Sequence, residues 1–211
     1  MTHSPSLLQS FRDATAEVHE RLEKVPFSTA LFQNKLPHES IVSLFHCLAI
    51  IHSALEKKIS VASDPRVQAL AHDYQPKLPA LERDMVLISK PHQQIIFPAE
   101  KCAFEFADEI LRESTPSLSL AGMLYVLEGS QNGGAMLKKT YAKNLEVSAD
   151  ALSYFGFYGA QTAQVWRSFM GRLSEMDLTE AEQTQAVQGA VSAFSWIEKI
   201  YLELFPIATA D

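Results

Sequence analysis

Cysteine is scarce in this 211-residue sequence: Cys47 and Cys102 stand far apart and outside any CxxC arrangement. That scarcity argues against a disulfide framework or a thiolate zinc site. Positive charge is also short, with 18 lysines and arginines against 25 aspartates and glutamates, a net charge of −7. Nucleic acid or an anionic membrane as main partner would need a basic footprint that this balance does not supply. The first residues show no basic start followed by an apolar run, and no segment reaches the roughly 18–20 uninterrupted apolar residues that span a bilayer. A soluble cytoplasmic protein is therefore expected. HExxH, a Gly-Lys-Ser/Thr phosphate loop, sustained period-two alternation, internal repeats and linkers are all missing. What is present is ordinary globular composition, 47% apolar and 20% charged. That composition and length suit one domain, residues 1–211, with a real core.

Eight glycines and ten prolines fall at intervals, and most stretches between them carry a helical period. Pro5 opens the first, in which Leu8, Phe11, Thr15, Val18 and Leu22 recur at three- and four-residue steps until Pro26. The second runs from Pro37 through Ile41, Leu44, Phe45, Leu48, Ile51, His52, Leu55 and Ile59 to the break at Asp64-Pro65. Residues 66–87 form a third, open to interruption at Pro76 and Pro79. Residues 89–98 read as a loop, 99–111 as a helix, and 118–145 as a long apolar helix with glycines at its middle. Residues 148–158 are aromatic and irregular; 160–176 and 179–205 are amphipathic, with Thr179 and Glu182 spaced as a capping box. The expectation is an all-α bundle of seven or eight helices.

His19 is followed by Glu23, one turn on and about 40° round, so the carboxylate can reach the imidazole; Thr15 lies one turn earlier on the same side. An imidazole whose second nitrogen is held by an acceptor has the fixed tautomer of an iron or zinc ligand. A surface ion pair is the plainer reading, and spacing alone favours it, because His52 and Glu56 repeat the pattern. Gly129, Gly133 and Gly134 occupy three of six positions in an otherwise apolar helix, although each glycine costs roughly 1 kcal/mol there relative to alanine. Close helix packing and the approach of a flat ligand to bare backbone both explain them. Arg167, between Trp166 and Phe169, either snorkels to water or holds a carboxylate at a pocket edge. Phe194, Trp196, Ile197 and Tyr201 make an aromatic stripe, for which core packing is the simpler account. The acids Glu105, Asp108 and Glu109 have no histidine at a spacing of three, so a two-metal bundle site has little support.

Taken in order, the ATAEVHERLE helix with His19, the helix LFHCLAIIHSALEKKI, the glycine-bent YVLEGSxxGG segment and the run FGFYG, VWRSFM, LTEAE and AFSWIEKIYLEL resemble the haem oxygenase family along nearly the whole chain. The glycine segment is similar to the bacterial, biliverdin-producing members, including those associated with bacteriophytochromes. The apolar tail of the family's membrane-anchored eukaryotic members is not seen.

The resemblance implies haem, substrate and cofactor together, held between the first helix and the kinked glycine helix. It makes His19 the proximal iron ligand and Glu23 the acid that hydrogen-bonds its other nitrogen, with Thr15 beside them. Gly129, Gly133 and Gly134 fall on the distal glycines against the ring, Arg12 and Arg167 on cations near the propionates, and Phe194 and Tyr201 on aromatics lining the pocket. Molecular oxygen is consumed, and electrons come from ferredoxin or a flavoprotein reductase. One position departs from the pattern. Many members carry an aspartate directly after the first distal glycine, where it anchors the water that delivers protons; here Ser130 stands there, and Ser130, Gln131 and Asn132 are left to organise that water. A haem-binding or sensing module without ring opening is the alternative this substitution suggests. A thiaminase-like or PQQ-synthesis-like enzyme on the same scaffold would instead need a nucleophile, for which only Cys47 and Cys102 are available.

Overall fold

Helix boundaries follow the breakers and caps. In the computed structural model, which describes residues 6–89 and 97–205, the Ser6 hydroxyl accepts the Gln9 backbone N–H and opens α1 (Leu7–Lys24). Pro26, expected only to end that helix, also begins another: it sits in the first turn of α2 (Pro26–Phe32), where its missing N–H is not needed. The long second stretch is α3 (His38–Ser60). By length and composition α3 could cross a membrane, but about two thirds of its apolar window is buried in the protein.

The expected third helix divides. Asp64 caps α4 (Pro65–Leu70), a single 3₁₀ turn follows, and α5 (Leu78–Ile88) starts with Pro79 in its first turn. The expected loop over 89–98 lies largely outside the described residues. Beyond it come α6 (Glu100–Leu111) and α7 (Ser119–Gly129), then a 3₁₀ turn (Ser130–Gly133) leading into α8 (Gly134–Leu145). The glycine-rich stretch is thus kinked as expected, two α-helical runs joined by a tightened 3₁₀ turn. After the irregular aromatic segment come α9 (Thr162–Ser174) and α10 (Glu180–Leu204), the latter opened by the expected capping box of Thr179 and Glu182. The described residues hold ten α-helices, more than the seven or eight expected, because proline and the glycine turn split stretches whose apolar period continues across the break.

Buried side chains from nearly every helix join one hydrophobic cluster. The closest helix pair is α7 against α10. A Cβ on Gly122 would lie 1.9 Å from the Ala186 carbonyl oxygen, and one on Gly189 would lie 2.0 Å from the Ser119 carbonyl oxygen. Glycine is required at both positions, since any side chain would drive one backbone into the other. This contact fixes α7, and with it the glycine turn at its end, relative to α1, which packs on the same α10.

Candidate functional site

A cavity of about 470 Å³ opens where α1, α3, α7, α8 and α10 meet. Its walls are chiefly apolar and aromatic. Helix α3 gives Leu44, Leu48 and Ile51; α10 gives Phe194, Ile197 and Tyr201; Tyr125 and Trp166 close one side and Phe155 another. The walls are braced by ring contacts: Phe11 stacks on Tyr125 at 4.7 Å between centroids, and Phe27 lies 4.4 Å from Tyr201. Cavities of this size and lining suit a large flat apolar ligand with a few polar groups setting its orientation.

His19 and Glu23 stand at the rim, both lining the cavity. Their side chains are 61% and 65% exposed, and Nδ1 of His19 lies 3.5 Å from a Glu23 carboxylate oxygen. The imidazole meets the Phe194 ring edge-on at 5.8 Å. With Nδ1 directed to Glu23, Nε2 is the nitrogen left for a ligand. Thr15 is buried and its hydroxyl donates to the Phe11 carbonyl at 2.7 Å; it supports the helix and does not line the cavity.

Gly129, Ser130 and Gly133 also line the cavity, but Gly134 does not. The glycines have three different duties. A Cβ at Gly133 would meet only the Leu137 side chain at 3.7 Å, so this position borders open space. At Gly129 it would press the Trp166 ring at 3.3 Å. At Gly134 it would lie 2.5 Å from the Gly156 backbone nitrogen, so Gly134 serves the packing of the turn against the aromatic segment. Close packing thus accounts for Gly134, while Gly133 leaves bare backbone at the cavity wall. The Ser130 hydroxyl donates to the Leu127 carbonyl at 2.7 Å, which commits its proton to the backbone.

Behind this wall lies a buried polar network that the sequence did not announce. Tyr154, which lines the cavity, bonds through its hydroxyl to His52 Nε2 at 3.0 Å. His52 Nδ1 is 3.3 Å from the Tyr74 hydroxyl, which in turn donates to Glu56. His52 is fully buried; burial, with the charge of Lys77 adding, pushes its pKa down to about 3. Alongside, the buried Lys77 ammonium lies 2.6 Å from Glu128 and donates to the Tyr158 hydroxyl at 2.7 Å. Burial pulls the Lys77 pKa down and Glu128 opposes it. The signals of this network in the sequence were the His52–Glu56 spacing and the density of aromatics over 154–158.

The remaining expected residues scatter. Arg12 and Arg167 are exposed and line no part of the cavity, although Arg12 acts electrostatically on Tyr125, which does. With Trp166 facing inward, its neighbour Arg167 is turned about 100° away toward solvent. The aromatic stripe of α10 divides: Phe194, Ile197 and Tyr201 face the cavity, while Trp196 stacks on Phe106 and donates its N–H to Glu109 at 2.8 Å. Cys47 lines the cavity, but burial first, then nearby Cys102 and acids, pushes its thiol up to about 12, the setting of an inert sulfur. Cys102 is likewise buried and unpaired.

A family model described as Heme oxygenase matches residues 5–203. Heme oxygenase 1 of Gallus gallus is 24% identical over 200 residues, covering 90% of this chain and 67% of the relative. Heme oxygenase PigA of Pseudomonas aeruginosa is 39% identical over 90 residues, covering 42% of this chain and 45% of its own length. Among solved structures, heme oxygenase-1 from the cyanobacterium Synechocystis, in complex with heme, has a TM-score of 0.83 at 19% identity, covering 95% of this chain and 92% of that one.

Proposed function

Because the chain belongs to the haem oxygenase family, we propose that it binds haem through His19 and opens the ring oxidatively to biliverdin, carbon monoxide and iron, the whole chain acting as one domain. The observation that carries this reading is the cavity itself, lined by an imidazole with a carboxylate beside it, by bare backbone at Gly133 and by aromatic rings. The donor set fits the group. A neutral imidazole suits iron, and a position where a Cβ would border open space suits a flat ring lying against the backbone.

Bound haem supplies both the iron at which oxygen is activated and the ring that is opened. The chain's own residues hold, orient and shield it. Glu23, with a carboxylate oxygen 3.5 Å from Nδ1 of His19, is placed to take the proton of that nitrogen and leave Nε2 as the ligating lone pair. The apolar walls from α3 and α10 keep bulk water from the ring. Arg12, beside Tyr125, and Arg167, next to Trp166, are the cations at hand for the two propionates in an otherwise acidic protein. Electrons come from an external donor, ferredoxin or a flavoprotein reductase, and a bacteriophytochrome is a consumer of the product suggested by the form of the glycine segment.

Haem titration of the wild type and of His19→Ala, followed by aerobic turnover with a reductant, tests the reading. The wild type should develop a Soret band and then biliverdin absorbance. A wild type without a Soret band, or one whose band is indifferent to loss of His19, overturns it. Gly133→Leu and Gly129→Leu should block ring opening with the fold intact. A second reading, a haem sensor that does not cleave, draws on the Ser130 hydroxyl being tied to Leu127; a Soret band without biliverdin under reductant and oxygen would favour it. The raised thiol of Cys47 speaks against a nucleophilic enzyme on this scaffold.

A further inference from the structure

The hydrogen bonds behind the cavity wall have a direction. Glu56 accepts the backbone N–H groups of Lys77 at 2.7 Å and Leu78 at 3.0 Å, so at this carboxylate Tyr74 is a donor. The Tyr74 oxygen is then free to accept from His52 Nδ1–H, which makes Nε2 the lone-pair nitrogen of a neutral ring and the acceptor for the Tyr154 hydroxyl proton. Every proton along this chain points away from the cavity. The Tyr154 hydroxyl, in a residue that lines the cavity, is therefore left with oxygen lone pairs and no proton to offer, as a carboxylate is. Beside it sits a complementary group. Gln131 is 1% exposed; its carbonyl oxygen accepts the Phe157 N–H at 3.4 Å, while its Nε2 is buried without a hydrogen-bond partner. Native proteins rarely leave such a donor unpaired, and an ordered water is the usual partner.

We propose that Tyr154, fixed by His52, and the amide of Gln131 together hold the water that delivers protons into the cavity, replacing the carboxylate that Ser130 lacks. The inference rests on the reading of the cavity as a haem site. Tyr154 and His52 act through the held water and are positioning residues. The surroundings of the Tyr154 hydroxyl agree with this role: burial raises its pKa and the charge of Glu128 and the neighbouring Tyr201 raise it further, so the phenol keeps its proton for His52. The neutral imidazole of His52 preserves that direction, since a protonated ring would need an acceptor at both nitrogens and would reverse the bond to Tyr154.

The test compares the wild type with Tyr154→Phe and Gln131→Met, each as the full chain loaded with haem, and with Tyr158→Phe, which loses a buried hydroxyl of the neighbouring network. Soret titration should give haem affinities within about threefold of one another, since no iron ligand is touched. The acid–alkaline spectral midpoint of the loaded protein should fall by about half a pH unit or more in Tyr154→Phe, because the lost acceptor had favoured the protonated form. It should stay in place in Tyr158→Phe. Biliverdin yield should drop roughly tenfold or more in Tyr154→Phe and several-fold in Gln131→Met. Ser130→Asp added to Tyr154→Phe should restore most of that yield. Wild-type midpoint and yield in a Tyr154→Phe protein that loads haem, or wild-type yield in Gln131→Met, overturns the proposal and leaves the haem reading standing. A wild type that loads no haem overturns that reading instead.

Discussion

Two histidines in this protein carry the same signature, a glutamate four residues on along an apolar helix, and they end in opposite surroundings. His19 and Glu23 face each other across 3.5 Å at the rim of the cavity, both more than half exposed. His52 has no exposure at all and never meets Glu56 directly; Tyr74 stands between them, and Tyr154 takes the other ring nitrogen. The difference lies in what packs on each helix. The face of α1 that carries His19 borders the cavity, whereas the face of α3 that carries His52 is covered by Tyr74 and by Tyr154 from the aromatic segment. One pair is open to receive a ligand. The other has spent both nitrogens on the interior.

Substitutions that exchange these roles would break the contrast. The largest effect is expected from His19→Ala, which should abolish ligated haem and ring opening while moving stability by no more than about 0.5 kcal/mol, since the side chain is exposed. Denaturant melts beside Soret titrations would show the separation. At His52 the expectation reverses. An unfolded histidine binds a proton below about pH 6.5, but the folded one resists until about 3, so its contribution is complete above pH 6.5 and falls as the medium is acidified. The slope approaches about 1.4 kcal/mol per pH unit over that window. Acid unfolding curves of wild type and His52→Gln should therefore converge as pH drops from 6 toward 3, and parallel curves would show that the ring is not held neutral.

Smaller changes test the carboxylates. Glu23→Gln should weaken haem affinity roughly 10- to 100-fold, the usual cost of losing the partner that orients a ligating histidine, with a melting curve like that of wild type. Glu56→Gln should do the opposite, leaving haem affinity near wild type and lowering stability by about 1–2 kcal/mol, because two backbone N–H groups and the Tyr74 hydroxyl lose a charged acceptor. If Glu23→Gln destabilises the fold as much as Glu56→Gln does, the two pairs are not as different as their burial indicates.

Much of the helix plan was legible because it rests on local rules. The Thr179–Glu182 box opens a helix where it was expected to, and the breaks read at Pro26 and Asp64-Pro65 fall at helix boundaries, though both also begin the next helix. Where reading failed, an apolar period ran through a break. Residues 118–145 keep their pattern across a 3₁₀ turn, whereas the break within 66–87 falls at Pro76, where interruption was allowed for. Part of the candidate site was also legible: His19, Glu23, Gly129, Ser130, Gly133, Phe194 and Tyr201 converge on one cavity. Gly134, by contrast, looked like its neighbours but is pinned by the backbone of Gly156, and Gly122 and Gly189, which the pattern passed over, carry the tightest helix contact. A glycine's reason is a neighbour from elsewhere in the chain, and no local rule names that neighbour.

The sequence by itself determined the all-helical class, most helix ends, the acidic balance and the family, since composition, period and motif order are properties of the chain read in one dimension. Only the tertiary structure decided which of two identically spaced histidines is open to a ligand and which glycines face space. It alone brought Tyr154, in the cavity wall, onto the buried ring of His52 and buried Gln131 behind that wall. Burial, and the pKa shifts and directed hydrogen bonds that follow from it, depend on segments more than twenty residues apart meeting in three dimensions, as Tyr154 meets His52 across 102 positions of sequence.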